Sequence, residues 1–334
     1  MLYYLFAGAR FRAPNSFLMP EPFIALNQLE KVYSGVPAVD RISMYIPAGE
    51  IFGFLGANGA GKTTTIRMLC GLTKPTGGHA SIGGRDIWKD RRHVRAKFGY
   101  VAQKFSLYTD LTVSENLLFF ARACGVPPEI YAKRSEILLR KMDLQDKRRK
   151  MTGSLSGGMK QLLALACAMV HAPPLLFLDE PTSGLDPVHR QQIWNLLYDL
   201  SSDGATIFVT THYMDEAERC TEVGFLHKGR LLAKESPARL KQSFRGKLLE
   251  MEVEPVMTAL VHLRAWPGVL DASLRSGRVR LYAAEPEKLS AEWTKKWPWP
   301  ELHWIGSRWA DPDMEDVFKA YSEGYEEILN RSLS

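Results

Sequence analysis

Four short apolar runs along the chain end abruptly on polar or glycine residues. Residues 51–55 (IFGFL) stop at Gly56, 98–102 (FGYVA) at Gln103, 175–178 (LLFL) at Asp179 and Glu180, and 206–210 (TIFVT) at Thr211 and His212. Unalternated runs of this length suit strands buried on both faces, as in a parallel sheet covered by helices. Helical patterns lie between them. Leu162, Leu165, Ala166, Met169 and Val170 recur at helical spacing, as do Ile193, Leu196, Leu197 and Leu200. Residues 111–152 read as helices without a strand between them, which predicts a helical subdomain (about 104–165) inserted into an α/β core. From about residue 246 the pattern changes. Runs at 248–253, 269–274, 279–283 and 302–305 read as strands, and 256–264, 287–296 and 314–321 as helices, predicting a small α+β domain closed by a helix. The expected division is a tail (1–20), an α/β domain (21–245) and the small domain (246–334). Six of the eight tryptophans fall in the last part, where they are expected to form its core.

In open α/β sheets ligands bind at the carboxyl ends of the strands, and each run above places its polar residues there. Gly56-Ala57-Asn58-Gly59-Ala60-Gly61-Lys62-Thr63 fits GxxxxGK[ST] without a gap, between a predicted strand and a predicted helix. Its glycines let successive N–H groups face phosphate oxygens, and the helix start adds partial positive charge. Lys62 is placed to reach the β- and γ-phosphates and Thr63 to put its hydroxyl on Mg²⁺. Asp179 ends a strand where it can hold that ion. Glu180, one residue on, can polarise a water for attack on the γ-phosphate.

Leu155-Ser156-Gly157-Gly158-Met159-Lys160-Gln161 resembles the ABC-ATPase signature LSGGQ, with Met159 where many members have Gln. Other features of that family stand in order: Tyr33 like the aromatic before the phosphate loop, Gln103 like the Q-loop, Ser183-Gly184-Leu185-Asp186 like the D-loop, and His212 like the switch histidine. The resemblance covers residues 23–240. It implies a P-loop ABC-ATPase core, a RecA-like sheet with an antiparallel β subdomain. It also implies that Tyr33 stacks on adenine and that Gly56, Asn58, Gly59, Gly61, Lys62, Thr63 and Thr64 bind ATP. Thr63, Gln103 and Asp179 serve Mg²⁺. Glu180, His212 and Gln103 carry the catalysis. Ser156, Gly157, Gly158 and Gln161 reach the ATP of an opposite cassette, with Asp186 at the seam. The implied partners are a second cassette, identical or not, and a transmembrane permease.

Composition narrows the class without changing this picture. Lys plus Arg number 43 against 37 acidic residues, a net +6, too mild for a dedicated nucleic-acid binder, so no nucleic acid is expected. The four cysteines form no CxxC pair, which suits a reducing compartment. No run approaches the roughly 20 apolar residues of a membrane span, so a peripheral place at the cytoplasmic face of a membrane is expected. Basic stretches at 85–104 and 133–150 read as solvated faces or as surfaces near anionic lipid. Among ABC ATPases, the chain has neither the second cassette nor the long insertion usual in the soluble ribosome- or DNA-acting type. Intact Lys62, Glu180 and His212 argue against a non-hydrolysing regulator. The phrases QKFSLYTDLT, THYMDEAE and MEDVF resemble drug-exporter cassettes with a separate permease. Phe105 and Tyr108, on the loop after Gln103, are expected to line the permease contact.

Overall fold

The computed structural model describes residues 23–103, 106–244 and 247–325; the tail and Phe105 lie outside them. The chain forms two compact units, Met1–Ser236 and Pro237–Ser334.

The first unit holds two sheets. In the smaller, β1 (Ile24–Tyr33) pairs antiparallel with β2 (Val36–Ile46) on one side and β4 (Gly77–Ile82) on the other, and β5 (Arg85–Asp86) extends β4. The larger has the order β10 (Arg230–Glu235), β9 (Glu222–His227), β3 (Ile51–Leu55), β8 (Thr206–Thr211), β7 (Leu175–Asp179), β6 (Phe98–Val101). β9, β3, β8, β7 and β6 run parallel, and β10 closes the β9 edge antiparallel. Every residue of β3, β7 and β8 is buried, so the unalternated runs are the sheet's centre. Phe208 sits among Phe52, Phe54 and Phe177, with ring centroids 5.3, 5.5 and 5.6 Å away. Ile24, Ile42 and Ile46 of the antiparallel sheet share that core. Because β3, β6, β7 and β8 are parallel, their carboxyl ends fall on one edge. Gly56, Glu180 and His212 follow directly, and Gln103 follows after Ala102.

Helices complete the unit: α1 (Lys62–Leu69), α2 (Arg91–Arg95), α3 (Val113–Ala123), α4 (Pro128–Lys141), α5 (Gly157–Met169), α6 (Pro187–Ser202) and the short α7 (Met214–Ala217). Thr112 and Glu115 form a reciprocal capping box that starts α3. Between α3 and α5 lie α4 and two 3-10 turns and no strand, as the sequence pattern predicts.

The second unit begins with α8 (Pro237–Ser243), which packs on α11 (Met314–Glu323); the divide therefore precedes that helix rather than following it near 245. Its sheet has the order β12 (Val269–Arg275), β13 (Arg278–Ala283), β11 (Leu248–Glu254), β14 (His303–Ala310), all neighbours antiparallel. The core under α9 (Val256–Arg264) and α10 (Pro286–Lys295) contains Leu249, Met251, Leu263 and Leu281 with Trp293 and Trp299; Trp266, Trp297 and Trp304 pack against it. The sixth ring departs from expectation. Trp309 is 46% exposed on the edge strand, with the Lys247 ammonium 5.6 Å from its ring. Truncating Trp293, 2% exposed and in contact with three other indoles, is expected to cost about 3–5 kcal/mol. Denaturation of the Trp293→Ala chain followed by tryptophan fluorescence checks this, since most indoles report on this unit. Among the described residues, no helix is long and apolar enough to cross a membrane.

Candidate active site

The loop 56–61 joins β3 to α1 and has little conformational choice. Gly61 sits at φ 111°, and a Cβ there would lie 2.3 Å from the Ala38 carbonyl oxygen. Only glycine fits both conditions. The loop turns Lys62 inward, where it is 4% exposed. Its ammonium donates to the carbonyls of Gly56 (2.8 Å) and Ala57 (3.2 Å) and stands 3.2 Å from Glu180 Oε1. Asn58 and Gly59 are exposed at the loop's crest, and Thr64 is half-buried.

Thr63 and Asp179 meet directly. The Thr63 hydroxyl donates to Asp179 Oδ1 at 3.2 Å, and Thr210 donates to the same oxygen at 2.7 Å. Asp179 Oδ2 is buried with no partner. A buried carboxylate oxygen left unpaired is costly, and a hard divalent cation would satisfy it. Burial pushes the Asp179 carboxyl above the ordinary aspartate range, offset in part by the hydrogen bonds from Thr210 and Thr63.

Glu180 is the point where the site converges. It is buried, and Gln103 Nε2 donates to its Oε2 at 2.9 Å. His212 Nδ1 lies 3.3 Å from the same oxygen without hydrogen-bonding geometry. The Glu180 backbone is held at φ 50°, an uncommon region for a side chain with a Cβ, by its N–H, shared between the Thr210 carbonyl (3.1 Å) and hydroxyl (3.0 Å). Lys62 at the start of α1, Gln103 beyond β6 and His212 beyond β8 thus meet on the carboxylate that follows β7.

The remaining predicted residues stand apart from that cluster. Tyr33, at the end of β1, is 47% exposed, with the Lys31 ammonium 5.0 Å from its ring. Ser156 caps α5, accepting from Met159 N at 3.3 Å; Ser156 and Gly157 are exposed, whereas Gly158 and Gln161 are buried. Asp186 caps α6 through the N–H groups of Val188 and His189 and also bonds the His189 ring.

Two supports escaped the sequence reading. Thr210 ends a β-branched strand run and gave no signal beyond a hydroxyl at a strand terminus. Asn116, 0% exposed on α3, clamps the loop after Gln103: it accepts from Tyr108 N (2.9 Å) and donates to Tyr108 O (2.8 Å) and Thr152 (2.9 Å). That loop borders a cavity of about 330 Å³ lined by Leu72, Phe98, Tyr100, Leu107 and Phe120. Tyr108 is outside this lining, 44% exposed and edge-on to Phe119 at 4.7 Å.

Comparison with known proteins gives the family. The sequence pattern of the family described as "ABC transporter" matches residues 39–183. The "Probable multidrug ABC transporter ATP-binding protein YbhF" of Escherichia coli K12 is 40% identical over 243 residues, 72% of this chain but 42% of that protein, so the chain spans less than half of this relative. "Nod factor export ATP-binding protein I" of Burkholderia lata is 37% identical over 302 residues, covering 90% of this chain and 97% of the relative. The solved "Dimeric Structure of MJ0796, a Bacterial ABC Transporter Cassette" superposes with TM-score 0.59 at 28% identity, over 64% of this chain and 98% of that one. With a phosphate loop, paired carboxylates, Gln103 and His212 on one sheet edge, the chain belongs to the ATP-binding subunits of ABC transporters.

Proposed function

We propose that this chain binds and hydrolyses ATP to power export through a separate transmembrane permease, at the cytoplasmic face of a membrane. The convergence of Lys62, Gln103 and His212 on Glu180 is the observation that carries this reading. Glu180 is the general base that takes a proton from the attacking water. Gln103 and His212 orient that water and the γ-phosphate, while Lys62 and the loop N–H groups hold the phosphate charge. Tyr33, open to solvent, offers adenine a stacking face. Thr63, Asp179 and the Gln103 amide oxygen are the groups that would hold Mg²⁺, and the unpaired Asp179 Oδ2 fits a cation there. When bound, that ion neutralises charge on the β- and γ-phosphates. Exposed Ser156 and Gly157 suit contact with the ATP of an opposite cassette, in a dimer like that named for the solved relative.

The multidrug and Nod-factor names belong to relatives. For this chain the cargo class we propose is drugs or other hydrophobic compounds. The test is hydrolysis of Mg²⁺-ATP by the chain co-expressed with its neighbouring permease, against the chain prepared without the permease. Turnover stimulated by the permease supports the reading; ATP binding without turnover in both preparations overturns it.

The cavity lined by Leu107 and Phe120 beside the Gln103 loop is the apolar socket for a permease segment, and the exposed ring pair of Tyr108 and Phe119, each next in sequence to a lining residue, belongs to the same contact. Tyr108→Ala paired with Phe119→Ala is expected to leave ATP binding intact and to lower co-purification with the permease about tenfold, measured by pull-down. Retention at the wild-type level excludes these rings from the contact.

A further inference from the structure

Glu216 is a buried carboxylate, 0% exposed, that none of the steps above uses. Its Oε1 accepts from the Thr182 hydroxyl at 2.6 Å and from the Arg190 guanidinium at 3.2 Å. Its Oε2 accepts from the Thr211 hydroxyl at 2.7 Å. Each partner sits beside a group of the active site. Thr182 follows Glu180 by two residues, in the turn where Ser183 N donates to Glu180 O. Arg190 lies one helical turn after Asp186 and donates its N–H to that residue's carbonyl at 3.0 Å. Thr211 precedes His212, and its hydroxyl also accepts from Tyr213 N at 3.0 Å. The backbone on both sides of His212 is thereby fixed by one hydroxyl whose direction Glu216 sets. Arg190 adds a second tie, with its guanidinium carbon 4.6 Å from the Tyr213 ring and a 3.1 Å pair to Asp215.

We propose that Glu216 is a positioning residue for ATP hydrolysis, locking the His212 segment, the turn after Glu180 and the helix after Asp186 into one rigid unit. This rests on the hydrolysis reading above. Such a unit moves His212 and Asp186 together: a shift at the cassette seam reaches His212, and a γ-phosphate held by His212 fixes the seam. A buried carboxylate suits this joint because it accepts three hydrogen bonds at once from donors on three segments, and neither an amide nor a hydroxyl can do so. Displacements of about 1 Å at reacting groups cost on the order of a hundredfold, so a loosened joint affects turnover more than affinity.

In the full chain with its permease, Glu216→Gln is expected to lower kcat about tenfold, with KM for ATP changed less than about twofold. Thr211→Val, which removes only the hydroxyl, is expected to repeat this loss, and Thr211→Ser to restore turnover. Adding Arg190→Ala to Glu216→Gln should cost little more, because both break one network. The ring resonances of His212, assigned with a His212→Ala control, are expected to shift in Glu216→Gln without nucleotide. Unchanged kcat in both Glu216→Gln and Thr211→Val overturns the proposal. So does a loss that vanishes once rates are scaled to the folded fraction, since that assigns Glu216 a structural role alone. His212 resonances that stay in place overturn it as well. That last readout does not depend on turnover, so a wild-type chain that binds ATP without hydrolysing it fails the functional reading and leaves this test standing.

Discussion

Glu180→Gln is expected to lower ATP turnover about 10²–10⁴-fold while ATP still binds, the usual worth of a positioned general base. The substitution preserves side-chain length. It also keeps an oxygen for the Gln103 amide, which lies 2.9 Å from Glu180 Oε2. What it removes is the group that can accept a proton. Lys62, 3.2 Å from the other carboxylate oxygen, loses its buried counter-charge, which strengthens its pull on phosphate oxygens when nucleotide arrives. The variant is therefore expected to hold ATP without turning it over. Because each ATP is expected to join one phosphate loop to an opposite signature, its persistence favours a dimer by mass action. Size-exclusion chromatography of the variant with and without Mg²⁺-ATP reads this, alongside equilibrium binding and phosphate release. Hydrolysis near the wild-type rate removes Glu180 from the role.

Much of this site was legible in the sequence because its residues follow strands whose burial leaves a strong pattern. β3, β7 and β8 are buried on both faces, so they appear as uninterrupted apolar runs, and the parallel register places their endings together. The antiparallel sheet was named only through family resemblance. β1 alternates poorly because its register against β2 shifts three times, between Leu26 and Leu29, between Leu29 and Lys31 and between Lys31 and Val32, and the first shift puts an extra β1 residue between its apolar positions. The second unit was legible strand by strand, but Trp309 was grouped with core indoles because composition does not distinguish an edge strand from a central one. The hidden part of the site is tertiary. Glu216 meets Thr182 across 34 positions, and Asn116 meets Thr152 across 36. A linear motif says which residues attend a phosphate and is silent on what orients them.

Gly158→Ala is expected to reduce turnover about a hundredfold, and His189→Ala to recover part of that loss. Gly158 lies in the first turn of α5, and a Cβ there would stand 2.3 Å from the His189 ring carbon Cδ2 and 2.4 Å from Cγ. Contacts that short force one partner to move. The His189 ring is not free to swing, because its Nδ1 bonds Asp186 Oδ2 and its backbone N–H donates to Oδ1 of the same carboxylate at 3.1 Å. The added methyl therefore pushes on Asp186, the residue assigned to the cassette seam, or on the α5 start that carries Ser156 and Gly157. Misplacement by an ångström at either is enough for a loss on the order of 10². Removing the ring opens the space the methyl needs, at the cost of one exposed hydrogen bond to Asp186, worth about 0.5–1.5 kcal/mol. His189→Ala alone is accordingly expected to be mild, and the double variant to outperform Gly158→Ala by about tenfold in ATP turnover. Equal activity of the single Gly158 variant and the double variant means the methyl interferes elsewhere, with the ATP of the opposite cassette as the nearest candidate, and the glycine is then required by the ligand and not by His189.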